Sequence, residues 1–326
     1  MRTFNHHRLM NHSNLKPQLP LLAGLFFLVA LGCGTAAAED STGLWSQGTP
    51  APQSRSEVSI ATVNDHAYVI GDYNGATAVL VYDLKHDSWA QTSAFPHAVH
   101  HAMATTLGNK VYVFGGYVDG WKATRETWVF DPQSQRWSAL SPMPHERAAG
   151  GAVVIDGRIH LLGGSRSGRT NIAEHDVYDP ATDTWSSASP LPTPRDHVTV
   201  AVLQGKIVTV GGRVDGSPSR NLEIDEIYDP ASHTWTKGVP LPQPRSGSAS
   251  AVMDGKLFTF GGEGVGQVFS EVYQFNPQSS HWRTLAPLPT PRHGFGAVAY
   301  GGHIVTLVGS PQAGGNRSET VEIFTP

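Results

Sequence analysis

Residues 235–273 read WTKGVPLPQPRSGSASAVMDGKLFTFGGEGVGQVFSEVY, and the fold is decided by how often this stretch recurs. It opens on Trp235 and passes through Pro240-Leu241-Pro242-Gln243-Pro244-Arg245. A run of small residues follows, Ser246 to Ala251, then a turn at Asp254-Gly255 and an apolar run from Leu257 to Phe260. Gly261-Gly262 and Glu271-Val272-Tyr273 close it. Tryptophan returns at Trp45, Trp89, Trp137, Trp185, Trp235 and Trp282, in steps of 44, 48, 48, 50 and 47 residues. Ten residues after each stands Arg55, Val99, Arg147, Arg195, Arg245 or Arg292, so the spacing never slips and the residue type fails once. A fixed period in the range of 20 to 50 residues is the mark of a repeat architecture and is settled before any single element is read.

Other signals keep the same period. Seven residues before the last five tryptophans stand Tyr82, Phe130, Tyr178, Tyr228 and Phe275. A double glycine recurs at Gly115-Gly116, Gly163-Gly164, Gly211-Gly212 and Gly261-Gly262, worn to Gly71-Asp72 in the first unit and Val308-Gly309 in the last. Short apolar runs between Gly, Pro and Asx turns predict strands, and no sustained 3.6-residue pattern predicts a helix of consequence. Four strands per unit, six times over, predict a six-bladed β-propeller of four-stranded antiparallel blades. Asp131-Pro132, Asp179-Pro180, Asp229-Pro230 and Asn276-Pro277 mark the turns between third and fourth strands, where proline presets φ.

On the double glycine, the spaced aromatic and the spaced tryptophan, the chain resembles the kelch-repeat proteins over nearly all of residues 39–326. The chain stops at the third strand of its sixth unit, while a Trp strand, Gly43 to Gln47, precedes the first complete unit. The expectation is that the N-terminal strand around Trp45 closes the last blade.

Met1 to Pro20 carries Arg2, Arg8 and Lys16 and no acid, and Leu21 to Gly32 is an apolar stretch of twelve residues. That is too short to span a bilayer, so residues 1–38 read as a signal peptide ending at Ala36-Ala37-Ala38. The alternative is a lipoprotein signal, 1–32, with Cys33 acylated. Localisation is expected to be exported, periplasmic or extracellular, with a lipid anchor in the second case. Cys33 is the only cysteine, so no disulfide is expected inside the propeller. Residues 39–326 hold 20 basic and 27 acidic side chains, a net charge of −7, which argues against a nucleic-acid partner.

Chemistry is sought where the blades disagree. The kelch resemblance implies that the Pro-x-x-Arg segments rim one mouth of the channel, which would aim Arg55, Arg147, Arg195, Arg245 and Arg292 at the axis. Guanidinium forks there would grip an anionic ligand; the other reading makes them donors within the scaffold. The next two positions are Ser56-Glu57, His100-His101, Ala148-Ala149, Asp196-His197, Ser246-Gly247 and His293-Gly294. They bring two acids and four imidazoles to one end of the channel, suited to acid–base work, to a transition metal or to a wet polar lining. On a regular strand His100 and His101 would point to opposite faces and share no metal. Trp121, in the loop after the second double glycine, is a candidate sugar platform or protein hot spot.

No phosphate-binding loop, dinucleotide fingerprint or nucleophile elbow is present. Copper radical oxidases of the kelch type need a cysteine joined to a tyrosine, and this chain offers only Cys33. The sequence therefore reads as a non-enzymatic binding module of the bacterial cell envelope, without cofactor or metal. It would recognise a protein, peptide or glycan through Arg55, Arg147, Arg195, Arg245, Arg292, His100, His101, His197, His293 and Trp121. The alternative is a resemblance to the six-bladed sialic-acid mutarotases, which implies Glu57 or Asp196 acting with Arg195 or Arg245 on an anionic sugar.

Overall fold

The computed structural model describes residues 42–326. The proposed signal segment, with cleavage at Ala38 or acylation at Cys33, lies outside them. The described residues form six four-stranded antiparallel sheets. The first blade is Ser59–Val63, His66–Ile70, Val79–Asp83 and Ser88–Thr92; the next four repeat the pattern, each ending on its Trp strand. In the sixth sheet Gly296–Tyr300, His303–Leu307 and Val321–Thr325 are joined by Leu44–Gln47, with Trp45 opposite Phe324. Innermost strands neighbour one another in chain order, and Gly296–Tyr300 returns to Ser59–Val63, so the six sheets stand in a ring. The described helices are two single turns, Ser167–Arg169 and Pro218–Arg220.

Burial follows strand order. The second strands end in four consecutive buried residues, because a blade lies against each of their faces. The fourth strands are mostly exposed, as in Ser88–Thr92. Apolar contact is made between blades: Tyr68 and Val79 of the first pack with Val111, Val113 and Phe130 of the second, and a cluster of the same kind fills each of the six seams. Each repeat hides its apolar face only against a neighbour, which is why the unit recurs.

Two circles of hydrogen bonds tie the blades. On the outside each tryptophan indole N–H donates to the carbonyl four residues after the preceding tryptophan: Trp89 to Thr49, Trp137 to Ser93, Trp185 to Ser141, Trp235 to Ser189, Trp282 to Val239 and Trp45 to Ala286, at 2.8–3.2 Å. On the inside the second residue after each Arg position has left-handed backbone: Glu57, His101, Ala149, His197, Gly247 and Gly294, with φ between 51° and 65°. Their amides form a closed circle. His101 N–H donates to Glu57 C=O, Ala149 to His101, His197 to Ala149, Gly247 to His197, Gly294 to Gly247 and Glu57 to Gly294, at 2.7–3.1 Å.

Candidate functional site

The inner circle fixes the site. A regular strand would send His100 and His101 to opposite faces, but His101 has φ of 54°, and the turn brings the two rings together with Nδ1 to Nδ1 at 2.6 Å. The alternation expected from sequence therefore fails at this pair, because the circle demands a left-handed residue in every blade. Side chains of the inner residues crowd the axis where they have any: Glu57, His101 and His197, with Ala149, Gly247 and Gly294 between them. The glycines make the room. A Cβ on Gly294 would sit 2.6 Å from the Glu57 carboxyl carbon.

In five of the six blades the preceding position pairs with the residue after the double glycine, which sets a second tier. Asp196 lies opposite Arg213, His100 opposite Tyr117, and His293 opposite Ser310. Glu57 Oε2 is 3.0 Å from His101 Nε2, and Glu57 Oε1 is 3.1 Å from His293 Nδ1. His197 Nδ1 is 2.6 Å from Asp196 Oδ1, and its Nε2 accepts from Arg213 at 3.0 Å. Arg213 also donates through Nε to Asp196 at 3.0 Å and binds Glu263 through its other arm. The two acids and four imidazoles picked from sequence thus stand at one end of the axis in a connected network.

Burial works against the charge on Glu57, but the rings of His101 and His293 outweigh it and hold the carboxyl well below the usual carboxylate range. Burial would lower His293; the hydrogen bond and charge of Glu57, with Glu263 beyond, instead push it up to about 9. His100 is drawn down to about 4 by burial and by His101. Burial and the Arg213 charge lower His197. For Asp196 burial is overcome by His197, Arg213 and Asn171, which bring it to about 2.

Above this floor opens a cavity of about 370 Å³ lined by Glu57, His101, His197, His293, Arg213 and Glu263, with Tyr73, Trp121 and Arg169 on its walls. Trp121 leans over the histidines, its ring centre 5.3 Å from His100, 5.6 Å from His101 and 6.2 Å from Tyr73. The guanidinium of Arg169 lies 4.2 Å above the indole, and among the described residues it makes no ion pair. Below the floor the channel continues between small and apolar residues such as Ala102, Gly150 and Ala249.

The repeated arginines are elsewhere. Arg55, Arg147, Arg195, Arg245 and Arg292 are 0–2% exposed. Arg147 donates to Gly163 C=O and Asp176, Arg195 to Gly211 C=O and Glu226, and Arg292 to Glu322 and Thr306. Arg245 donates to Gly261 C=O, and Arg55 to Ser54 C=O and Gln53. A guanidinium without exposed surface meets no solute, so the rim of repeated arginines is replaced by donors inside the blades. Arg195 and Arg245 accordingly stand apart from Glu57, and Asp196 lies beneath Arg213. The cations that do face the cavity are Arg213 and Arg169, neither of them part of the repeated Pro-x-x-Arg segments. A usable signal was present for Arg213. The units disagree at the residue after the double glycine, with Tyr117, Ser165, Arg213, Glu263 and Ser310 in turn.

A family model described as the KLHDC2/KLHL20/DRC7 Kelch-repeats domain matches residues 41–212 and 100–309. A solved structure titled "Structure of YjhT" superposes with a TM-score of 0.76 at 18% identity, over 86% of this chain and 97% of that one. At that identity the likeness concerns the fold. No curated protein matches the sequence.

Proposed function

The chain belongs to the kelch-repeat family, and on that premise we propose that it is a binding propeller whose ligand is a sugar-sized, hydroxyl-rich molecule or the end of a glycan, seated in the axial cavity. One observation carries this reading. The inner circle of backbone hydrogen bonds sets Glu57, His101 and His197 on the floor of a cavity walled by Tyr73 and Trp121. Aromatic faces that stack on C–H surfaces, over convergent charged donors and acceptors, are the chemistry that carbohydrate hydroxyls require. The volume suits one ring or two and is too small for a folded partner. Arg169, free of an acid and stacked on Trp121, adds a grip for a carboxylate on such a ligand. The Leu21 to Gly32 segment supports export to the cell envelope, and the mass of the processed N-terminus would tell Glu39 from an acylated Cys33.

The test is a thermal-shift and calorimetric screen of the purified protein against neutral and carboxylated monosaccharides. Binding to the folded state alone adds about 2.7 kcal/mol at a hundredfold excess over the dissociation constant. Trp121→Ala and Glu57→Gln should each abolish the shift. A flat response to every sugar, or a response indifferent to Trp121→Ala, removes this reading and leaves a protein or peptide partner on the loops.

A second reading, anomer exchange on a bound sugar, keeps one of the residues implied by the mutarotase resemblance. Glu57 reaches the cavity floor within 3.0 Å of His101. Exchange spectroscopy on any sugar found to bind decides it: acceleration by the protein that is lost in Glu57→Gln supports catalysis.

A further inference from the structure

We propose that Glu57, His101 and His197 form a binding site for one divalent transition metal ion at the base of the axial cavity. The three residues come from the first, second and fourth blades, at equivalent left-handed positions of the inner circle. One carboxylate oxygen and two imidazole nitrogens lie within 4.8 Å of one another and are largely withdrawn from solvent. Ala149, Gly247 and Gly294 fill the other three positions, so nothing bulky from the circle competes for the centre.

Hydrogen bonds assign the tautomers. His100 Nε2 faces the Gly120 carbonyl at 2.9 Å and must carry a proton; its Nδ1 is then the acceptor for His101, 2.6 Å away. His101 therefore donates through Nδ1 and presents a lone pair at Nε2. His197 likewise spends Nδ1–H on Asp196 at 2.6 Å and presents Nε2. A histidine whose outer nitrogen donates to a carboxylate or another acceptor while the inner one faces a common centre is the usual support for a metal ligand. His101 Nε2 lies 3.0 Å from Glu57 Oε2, a separation that calls for a cation between the two atoms, either a proton or a metal ion.

Two imidazoles and one carboxylate suit a borderline ion such as zinc, cobalt, nickel or ferrous iron, and disfavour calcium and magnesium. Three protein ligands leave at least one coordination position, which opens toward the cavity and would receive a ligand oxygen or water. Two neighbours resist, and the first is His293, whose Nδ1 holds the other Glu57 oxygen at 3.1 Å. The second, Arg213, donates to His197 Nε2 at 3.0 Å and would have to swing toward Asp196 and Glu263, which already hold it. That gives the proposal a signed signature, because Arg213→Gln removes the competing cation and should tighten metal binding.

The experiment uses tag-free full chain, stripped with a chelator and dialysed, with no sugar present, so its outcome is independent of the ligand reading above. Cobalt(II) is titrated while its visible d–d absorption is followed, and zinc is titrated calorimetrically. The expected result is one ion per chain with a dissociation constant below about 1 μM. His101→Ala, His197→Ala and Glu57→Gln should each weaken it at least tenfold, whereas Arg213→Gln should strengthen it. Ala149 holds the same backbone conformation in the third blade, so the alanine variants have a precedent for folding. Absence of a one-to-one site, or affinity unchanged in the His101→Ala/His197→Ala double variant, overturns the proposal and leaves a proton as the cation between Glu57 and His101.

Discussion

The propeller is tied by two circles that solve the same problem with different atoms. In the outer circle the bond between blades is made by a side chain, the indole N–H, and tryptophan is accordingly present in all six units. In the inner circle the bond is made by backbone amides and carbonyls, and the six residues are Glu, His, Ala, His, Gly and Gly. The lesson is that a scaffold bond carried by the backbone leaves its side chains free for other work. All that the inner circle asks is a left-handed φ, which costs of order 1 kcal/mol for a residue other than glycine. The molecule accepts that cost at Glu57, His101, Ala149 and His197.

Trp282 is 6% exposed, packs 5.1 Å from Phe275 and satisfies the Val239 carbonyl. Trp282→Ala should cost about 3–5 kcal/mol of stability, with ligand affinity unchanged in whatever fraction remains folded. Urea denaturation of variant and parent measures it, and a loss below about 1 kcal/mol would remove the outer circle from the fold's support.

An effect of intermediate size is expected in the seam between the third and fourth blades. His160 Nδ1 and His175 Nε2 are 2.8 Å apart, and His175 Nδ1 donates to the Ser189 carbonyl at 3.1 Å, a chain that is complete with both rings neutral. Burial lowers His160, with Arg158 adding to it, to about 4; burial and then His160 lower His175 to about 3. The folded pKa values lie below the unfolded value near 6.5, so the unfolded chain binds more protons as pH falls. Stability is full above about pH 6.5 and declines below it, by up to about 1.4 kcal/mol per pH unit for each histidine. Urea melts from pH 7.5 to 4.5 should show this slope, and His160→Gln/His175→Phe should reduce it to the share of His100 and His197; an unchanged slope would place the acid sensitivity elsewhere.

The smallest change in stability belongs to the inner circle. His101→Ala/His197→Ala keeps every backbone bond of the circle and puts at two positions what the third blade already has. Its stability should fall by about 1–3 kcal/mol, less than for Trp282→Ala, because Glu57 and Asp196 lose buried partners while the backbone circle stays, and ligand affinity should fall at least tenfold. Collapse of the fold in this variant would mean that the side chains, and not the backbone, hold the axis.

Tryptophan recurs because its indole N–H makes the outer bond between blades, and the double glycine because a side chain there would strike the neighbouring backbone. Gly261 illustrates this: with φ of 56°, a Cβ there would lie 2.4 Å from the Arg292 carbonyl oxygen. The same logic misleads at the five arginines, whose regularity makes them prominent and whose bonds are internal. The candidate site is legible as a set, because Glu57, His100, His101, Asp196, His197 and His293 stand where the units disagree. Its geometry is not, since a left-handed turn at His101 reverses the direction that strand alternation assigns.

Period, blade number and the identity of the scaffold residues were determined by the sequence alone, because a bond made six times by one side chain leaves a repeated letter. Which charges meet was decided only by the tertiary structure. Glu57 and His293 are 236 residues apart in the chain yet 3.1 Å apart in space. Arg213 holds both Asp196 and Glu263 because the ring brings the fourth and fifth blades to one axis. Closure around that axis converts six distant, unlike positions into a single cavity floor, and nothing in the local sequence records the direction each side chain takes there.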